Sequence, residues 1–179
     1  MWGGDGERFD SSATHQPNWQ IIMRNKQDLE ITKIAEVVKL RRNNEDDEKE
    51  WDLIRELHKS DSAKVHKRCV AMCKSCISEE REVAADILGQ FRWKHEGKPF
   101  RKESIAALSP LLDDPDVKVT CAAIYALGHL RASEAILAYI RLSRHKSANI
   151  RYAMASSLGL LDSPKARRAL IRLSADEDV

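Results

Sequence analysis

Apolar positions in the second half of the chain fall three and four residues apart and come in paired runs. One set comprises Ser104 to Leu112, Ala135 to Leu142 and Ala166 to Leu173; the other comprises Arg81 to Phe91, Thr120 to Leu130 and Arg151 to Leu161. This spacing gathers apolar side chains on one stripe, so each run predicts an amphipathic helix. Short polar joints separate the partners: Asp113-Asp114-Pro115-Asp116, Arg144-His145-Lys146-Ser147 and Asp176-Glu177-Asp178. An acidic side chain at a helix start accepts from free backbone N–H groups and suits the positive end of the dipole. The predicted order is helix, tight turn, helix, tight turn.

The pattern also repeats. Ile140-Arg141-Leu142-Ser143 returns 31 residues later as Ile171-Arg172-Leu173-Ser174, and Leu127-Gly128 returns as Leu158-Gly159. A fixed period in the range of about 20 to 50 residues marks a solenoid, whose units cannot bury their apolar faces alone. Small residues such as Ala84, Ala85, Ala122, Ala126 and Ala153 recur on the second helix of each pair, where helices must approach closely. The glycine after each Leu is expected to end its helix, because glycine takes a left-handed turn without a Cβ clash.

Asp116-Val117-Lys118-Val119 leading into Ala122-Ala123-Ile124-Tyr125-Ala126-Leu127-Gly128, and Asn149-Ile150-Arg151 leading into Ala155-Ser156-Ser157-Leu158-Gly159, resemble the HEAT-repeat family. The likeness is to the short bacterial HEAT-like repeats also found in phycobilisome lyases. The family's Val-Arg pair is matched by Ile150-Arg151, at its apolar position by Val119-Thr120, and at its Arg by Glu80-Arg81. The resemblance covers residues 51–179 and implies an all-α, right-handed α-solenoid of HEAT-like helix pairs. By the offset of 31, Val179 corresponds to Ala148, so the repeat domain is expected to end mid-repeat, as a piece of a longer solenoid or with its last face covered by another chain.

Residues 1–26 show little periodicity and are expected to be poorly ordered. Residues 27–50 are read as a helix, Gln27 to Arg42, that caps the stack through Leu29, Ile34, Val37 and Val38, followed by an acidic linker. At 179 residues, 42% hydrophobic and 32% charged, the chain is long enough for a continuous core. The net charge of +2 divides into −3 over residues 1–50 and +5 over residues 51–179. No apolar run approaches the roughly 18 residues needed to cross a membrane, and no secretory leader is evident, so a soluble, cytoplasmic protein with reduced thiols is expected.

Three sets of residues carry candidate chemistry. His66, Cys69, Cys73 and Cys76 would share a face if they lay on one helix, which fits either a metal site or a buried stripe. Four ligands spread along about 15 Å of helix cannot converge on one ion, which favours the stripe. Arg141, Arg144, Lys146, Lys165 and Arg168, with Arg151, Arg167 and Arg172 nearby, form a basic group that would suit phosphate. Arg151 at the family's Arg position equally suits a ladder to acidic turns. Tyr125, His129, Arg151, Tyr152 and Trp93, with Trp51, are candidate contacts for a protein partner. A di-iron hydroxylase built on helical repeats would need several His-Glu pairs; the sequence has one, His95-Glu96. With no nucleophile elbow and no glycine-rich phosphate loop, no catalytic residue and no cofactor is assigned. The expected role is a protein-interaction scaffold, with nucleic-acid binding and metal binding as alternatives.

Overall fold

A computed structural model describes residues 19–91 and 100–177, the side chains of 19–22 excepted. Trp93 and His95-Glu96 lie outside the described residues, as does the segment 1–18. The described residues form α1 (Trp19–Asn43), α2 (Asp47–His58), α3 (Ala63–Met72), α4 (Ser78–Gln90), α5 (Arg101–Leu108), α6 (Val117–His129), α7 (Ile136–Leu142), α8 (Ala148–Leu158) and α9 (Pro164–Leu173). Single 3₁₀ turns, Ser109–Asp113 and Ser133–Ala135, extend α5 and precede α7. The architecture is an α-solenoid. The second helices α4, α6 and α8 stack in series, and α4 and α6 make the most extensive contact in the molecule. The hairpin of α1 and α2 leans on α3 and α4 at the other end of the series.

Local sequence sets the helix starts. Asp46, Ser62, Asp116 and Ser163 each accept a backbone N–H from the first turn of α2, α3, α6 and α9. Pro164, which has no N–H to leave unpaired, opens α9. The acidic stretch expected as a linker is half helix, since Asp47, Glu48 and Glu50 occupy the first turn of α2, where negative charge suits the dipole. Likewise α1 begins at Trp19 rather than Gln27.

The joints follow one plan. Ser75 Oγ accepts from Ile77 N at 3.1 Å, Asp114 Oδ1 from Asp116 N at 3.0 Å, and His145 Nδ1 from Ser147 N at 3.0 Å. Six residues after each acceptor, a side chain reaches back to that residue's own carbonyl: Arg81 to Ser75, Thr120 to Asp114, Arg151 to His145. The two arginines also clasp the carboxylate at the same position of the following joint. Arg81 holds Asp114 at 2.7 and 2.8 Å, and Arg151 holds Asp176 at 2.6 and 3.0 Å. These bidentate, largely buried pairs tie one repeat to the next. Where Thr120 replaces the Arg, the next joint carries His145 in place of the Asp, so donor and acceptor are absent together.

The glycines do something other than end helices. Gly89 and Gly128 lie inside α4 and α6, because their role is to admit the neighbouring helix. A Cβ on Gly89 would stand 2.6 Å from Ala126 Cα, and one on Gly128 would stand 2.9 Å from Ser157 Cβ. Ala126 and Ser157 are equivalent positions of successive repeats, so one small-on-small contact recurs up the stack. Gly159 does follow its helix, but with a right-handed φ of −62° and no close neighbour. Around this spine the core is aliphatic: Ile87, Leu88, Ile124, Leu127, Met154 and Leu158 are fully buried. Tyr139 joins them, its hydroxyl donating to Ile124 O at 2.9 Å.

Two substitutions separate close approach from helix propensity. Gly89→Ala is expected to lower unfolding free energy by about 1–3 kcal/mol through overpacking, while Gly159→Ala is neutral or stabilising by up to about 1 kcal/mol. Urea unfolding checks both; a stabilised Gly89→Ala protein contradicts the packing described. Arg81→Lys keeps the charge but loses the fork, and a cost of about 1–2 kcal/mol is expected by the same measurement.

Candidate functional site

A groove of about 550 Å³ runs across the second helices, and α2 completes the row. Trp51 on α2, Glu82 and Asp86 on α4, Cys121 and Tyr125 on α6, and Asn149 and Tyr152 on α8 line it in that order. Two of its aromatic rings are well exposed, Trp51 at 44% and Tyr152 at 57%. Tyr125 is half-buried, and burial pushes its phenol up. The tyrosines sit 27 residues apart in sequence, and the repeat brings them to neighbouring helices of one surface.

The floor of the groove is an ionic knot around Arg41 from the end of α1. Its guanidinium donates to Glu50 from two nitrogens, to Asp86 Oδ2 at 2.6 Å, and lies 3.4 Å from Glu82. Arg41 is 12% exposed and Glu50 7%, so the pair is largely desolvated. Burial alone would disfavour the Arg41 cation, but the surrounding carboxylates raise its proton affinity overall. Burial pushes the Glu82 and Asp86 carboxyls up, against the pull of Arg41. Nothing in the sequence pairs Arg41 with α4, since 45 residues separate it from Asp86 and the contact exists only once α1 folds back on the stack.

The other expected sites come apart. Arg151 is engaged by Asp176 and two joint carbonyls, with its side chain 14% exposed. His129 is exposed at the end of α6. The basic group is divided: Lys165 and Arg168 line a groove of about 640 Å³ at the α8–α9 connection, while Arg141 and Lys146 line a separate one at the α7–α8 joint. Arg141 pairs there with Asp113 at 2.6 Å. The two grooves lie toward opposite ends of α7, which lines the first through Ile136 and the second through Arg141 and Leu142.

The cysteines do not converge either. Helix α3 stops at Met72, so Cys73 forms its C-cap and Cys76 falls in the joint. Cys69 and Cys73 are buried and Cys76 is exposed. Burial raises both inner thiols, Cys73 to about 12, which keeps them protonated. His66 lies 3.0 Å from Ser104 Oγ and stacks on Phe100 at 4.4 Å. Among the described residues no three His, Cys, Asp or Glu side chains gather as a metal site would require.

Residues 105–179 match the sequence model of the HEAT repeats. These residues are HEAT repeats. The matched region begins inside α5; the preceding pair, α3 and α4, shares the same joint bonds through Ser75 and Arg81 and the same close approach at Gly89. No curated protein matches the chain. Among the described residues, no helix is long and apolar enough to cross a membrane.

Burial lowers the proton affinity of His58 and His66 below the ordinary imidazole value of 6.5. The unfolded chain therefore binds more protons than the folded one as pH falls through 6.5, and the histidines draw the protein toward unfolding on acidification. The stability lost between pH 7 and pH 5 is expected to be smaller in His66→Gln than in the parent chain. Denaturant melts at both pH values test this, and equal losses in the two proteins contradict it.

Proposed function

We propose that this HEAT-repeat chain is a protein-interaction scaffold without catalysis of its own, and that its partner docks in the groove over α2, α4, α6 and α8. The observation that carries this reading is the exposure of Trp51 and Tyr152, with Tyr125 between them, along a surface that successive repeats hold rigid. Large aromatic side chains left in water on a groove wall are what a partner's apolar groups bury, and Tyr and Trp dominate such contacts. HEAT repeats in general serve as interaction surfaces, and a preformed solenoid face binds without first paying to order itself. The division of the basic residues between two edges gives phosphate no continuous track, which favours a protein over nucleic acid.

The test is affinity capture from a lysate of the source organism, with nuclease treatment and washing at about 0.5 M salt, where phosphate contacts fail. A protein partner is expected to stay on the parent chain and to be lost from a Trp51→Ala/Tyr152→Ala double variant. Recovery of nucleic acid alone, released by salt, overturns the scaffold reading.

A further inference from the structure

The groove is acidic although the chain is not. Four carboxylates line it, Asp47, Glu50, Glu82 and Asp86, against two cations, Arg41 and Lys118, while the whole chain carries +2. Arg41 does not balance them. Its donors are committed to Glu50 and Asp86, and Glu82 stands at 3.4 Å, at the margin of its reach. Glu82 is 20% exposed toward the groove and Asp86 15%, so the surplus negative charge sits where water screens it poorly.

Aromatic rings flank this surplus. Trp51 precedes the α4 carboxylates along the row of helices, and Tyr125 follows them. Ring faces attract cations, and the alkyl stem of a long basic side chain packs on them at the same time. An anionic or purely apolar occupant would gain from the rings but would bring no charge to the carboxylates.

We propose that the groove accepts an extended segment of a partner protein through an Arg or Lys side chain, its charged head against Glu82 and Asp86 and its stem between Trp51 and Tyr125. This rests on the docking reading above. Neighbouring helices stand about 9 Å apart, so the row from α2 to α8 spans about 27 Å, the length of about eight extended residues. Tyr152 lies at the far end of that path. The same charge repels phosphate, so nucleic acid is disfavoured here for a reason separate from the placement of the basic residues.

The experiment is selection from a random library of 12-residue peptides displayed on phage, with the full chain immobilised, followed by fluorescence anisotropy on the enriched peptides. Enriched peptides are expected to carry Arg or Lys, and exchange of that Arg for citrulline, or of Lys for norleucine, is expected to weaken binding about tenfold, the effect of losing one charge-assisted hydrogen bond. Glu82→Gln is expected to weaken the parent peptide by a similar factor while leaving the citrulline peptide unchanged, a comparison that changes in folding alone would not produce. Peptides that need Trp51 and Tyr152 but carry no basic residue, or tolerate its replacement, overturn the cationic occupant and leave the docking reading standing. No enrichment, or binding that Trp51→Ala and Tyr152→Ala leave unchanged, overturns both.

Discussion

The distance between successive second helices is set where a side chain is missing. Gly89 receives Ala126 and Gly128 receives Ser157, each close enough that a methyl group would have to displace its neighbour. That approach brings the helix surfaces into contact along their length and lets one register hold from α4 through α8. The other inter-repeat features depend on it. Arg81 can grip Asp114 with both arms of its guanidinium, and Arg151 can grip Asp176, only because each joint arrives at the same offset from the helix before it. The middle step has no such clasp, and there the glycine contact and the aliphatic core act without it.

Charge is sorted by position rather than by abundance. The arginine clasps lie at the joint ends of the helices, Lys165 and Arg168 lie at the α8–α9 connection, and Arg41 gathers Glu50, Glu82 and Asp86 over α4. Removing a buried charge from such a knot leaves its partners stranded, so Arg41 is better understood as fixing the arrangement of α1, α2 and α4 than as adding net stability. A chain whose overall charge is near neutral can thus carry a locally acidic groove.

Helix identity and repeat spacing were legible because both are written in local periodicity. Val119, Ala123 and Leu127 report α6 without reference to any other helix, and the joint at Asp114 is visible in its own four residues. The role of Gly128 was not, since a glycine after Leu fits a helix end and a helix crossing equally, and only the position of Ser157 decides between them. The paired loss of Arg and Asp at Thr120 and His145 is a signal that aligned repeats do contain. Tyr125 and Tyr152 could each be assigned to a second helix from the repeat, whereas Arg151 at the repeat's Arg position suited a clasp and a partner contact equally. The Arg41 knot had no sequence signature, because α1 stands outside the repeat and its contacts follow no period.

The step from α4 to α6 is longer than the next one, 39 residues from Ser78 to Val117 against 31 from Val117 to Ala148, yet these two helices make the tightest contact in the stack. Phe91 and Phe100 bracket the extra length, their rings 5.9 Å apart and both packed on His66, with Phe100 turning the backbone at a φ of 71°. The aromatic triplet joins the end of α4 to the start of α5 over His66 of α3. Three helices are thereby pinned at one point, and α4 meets α6 through the same kind of glycine contact that α6 makes with α8, although the chain between the first two is longer.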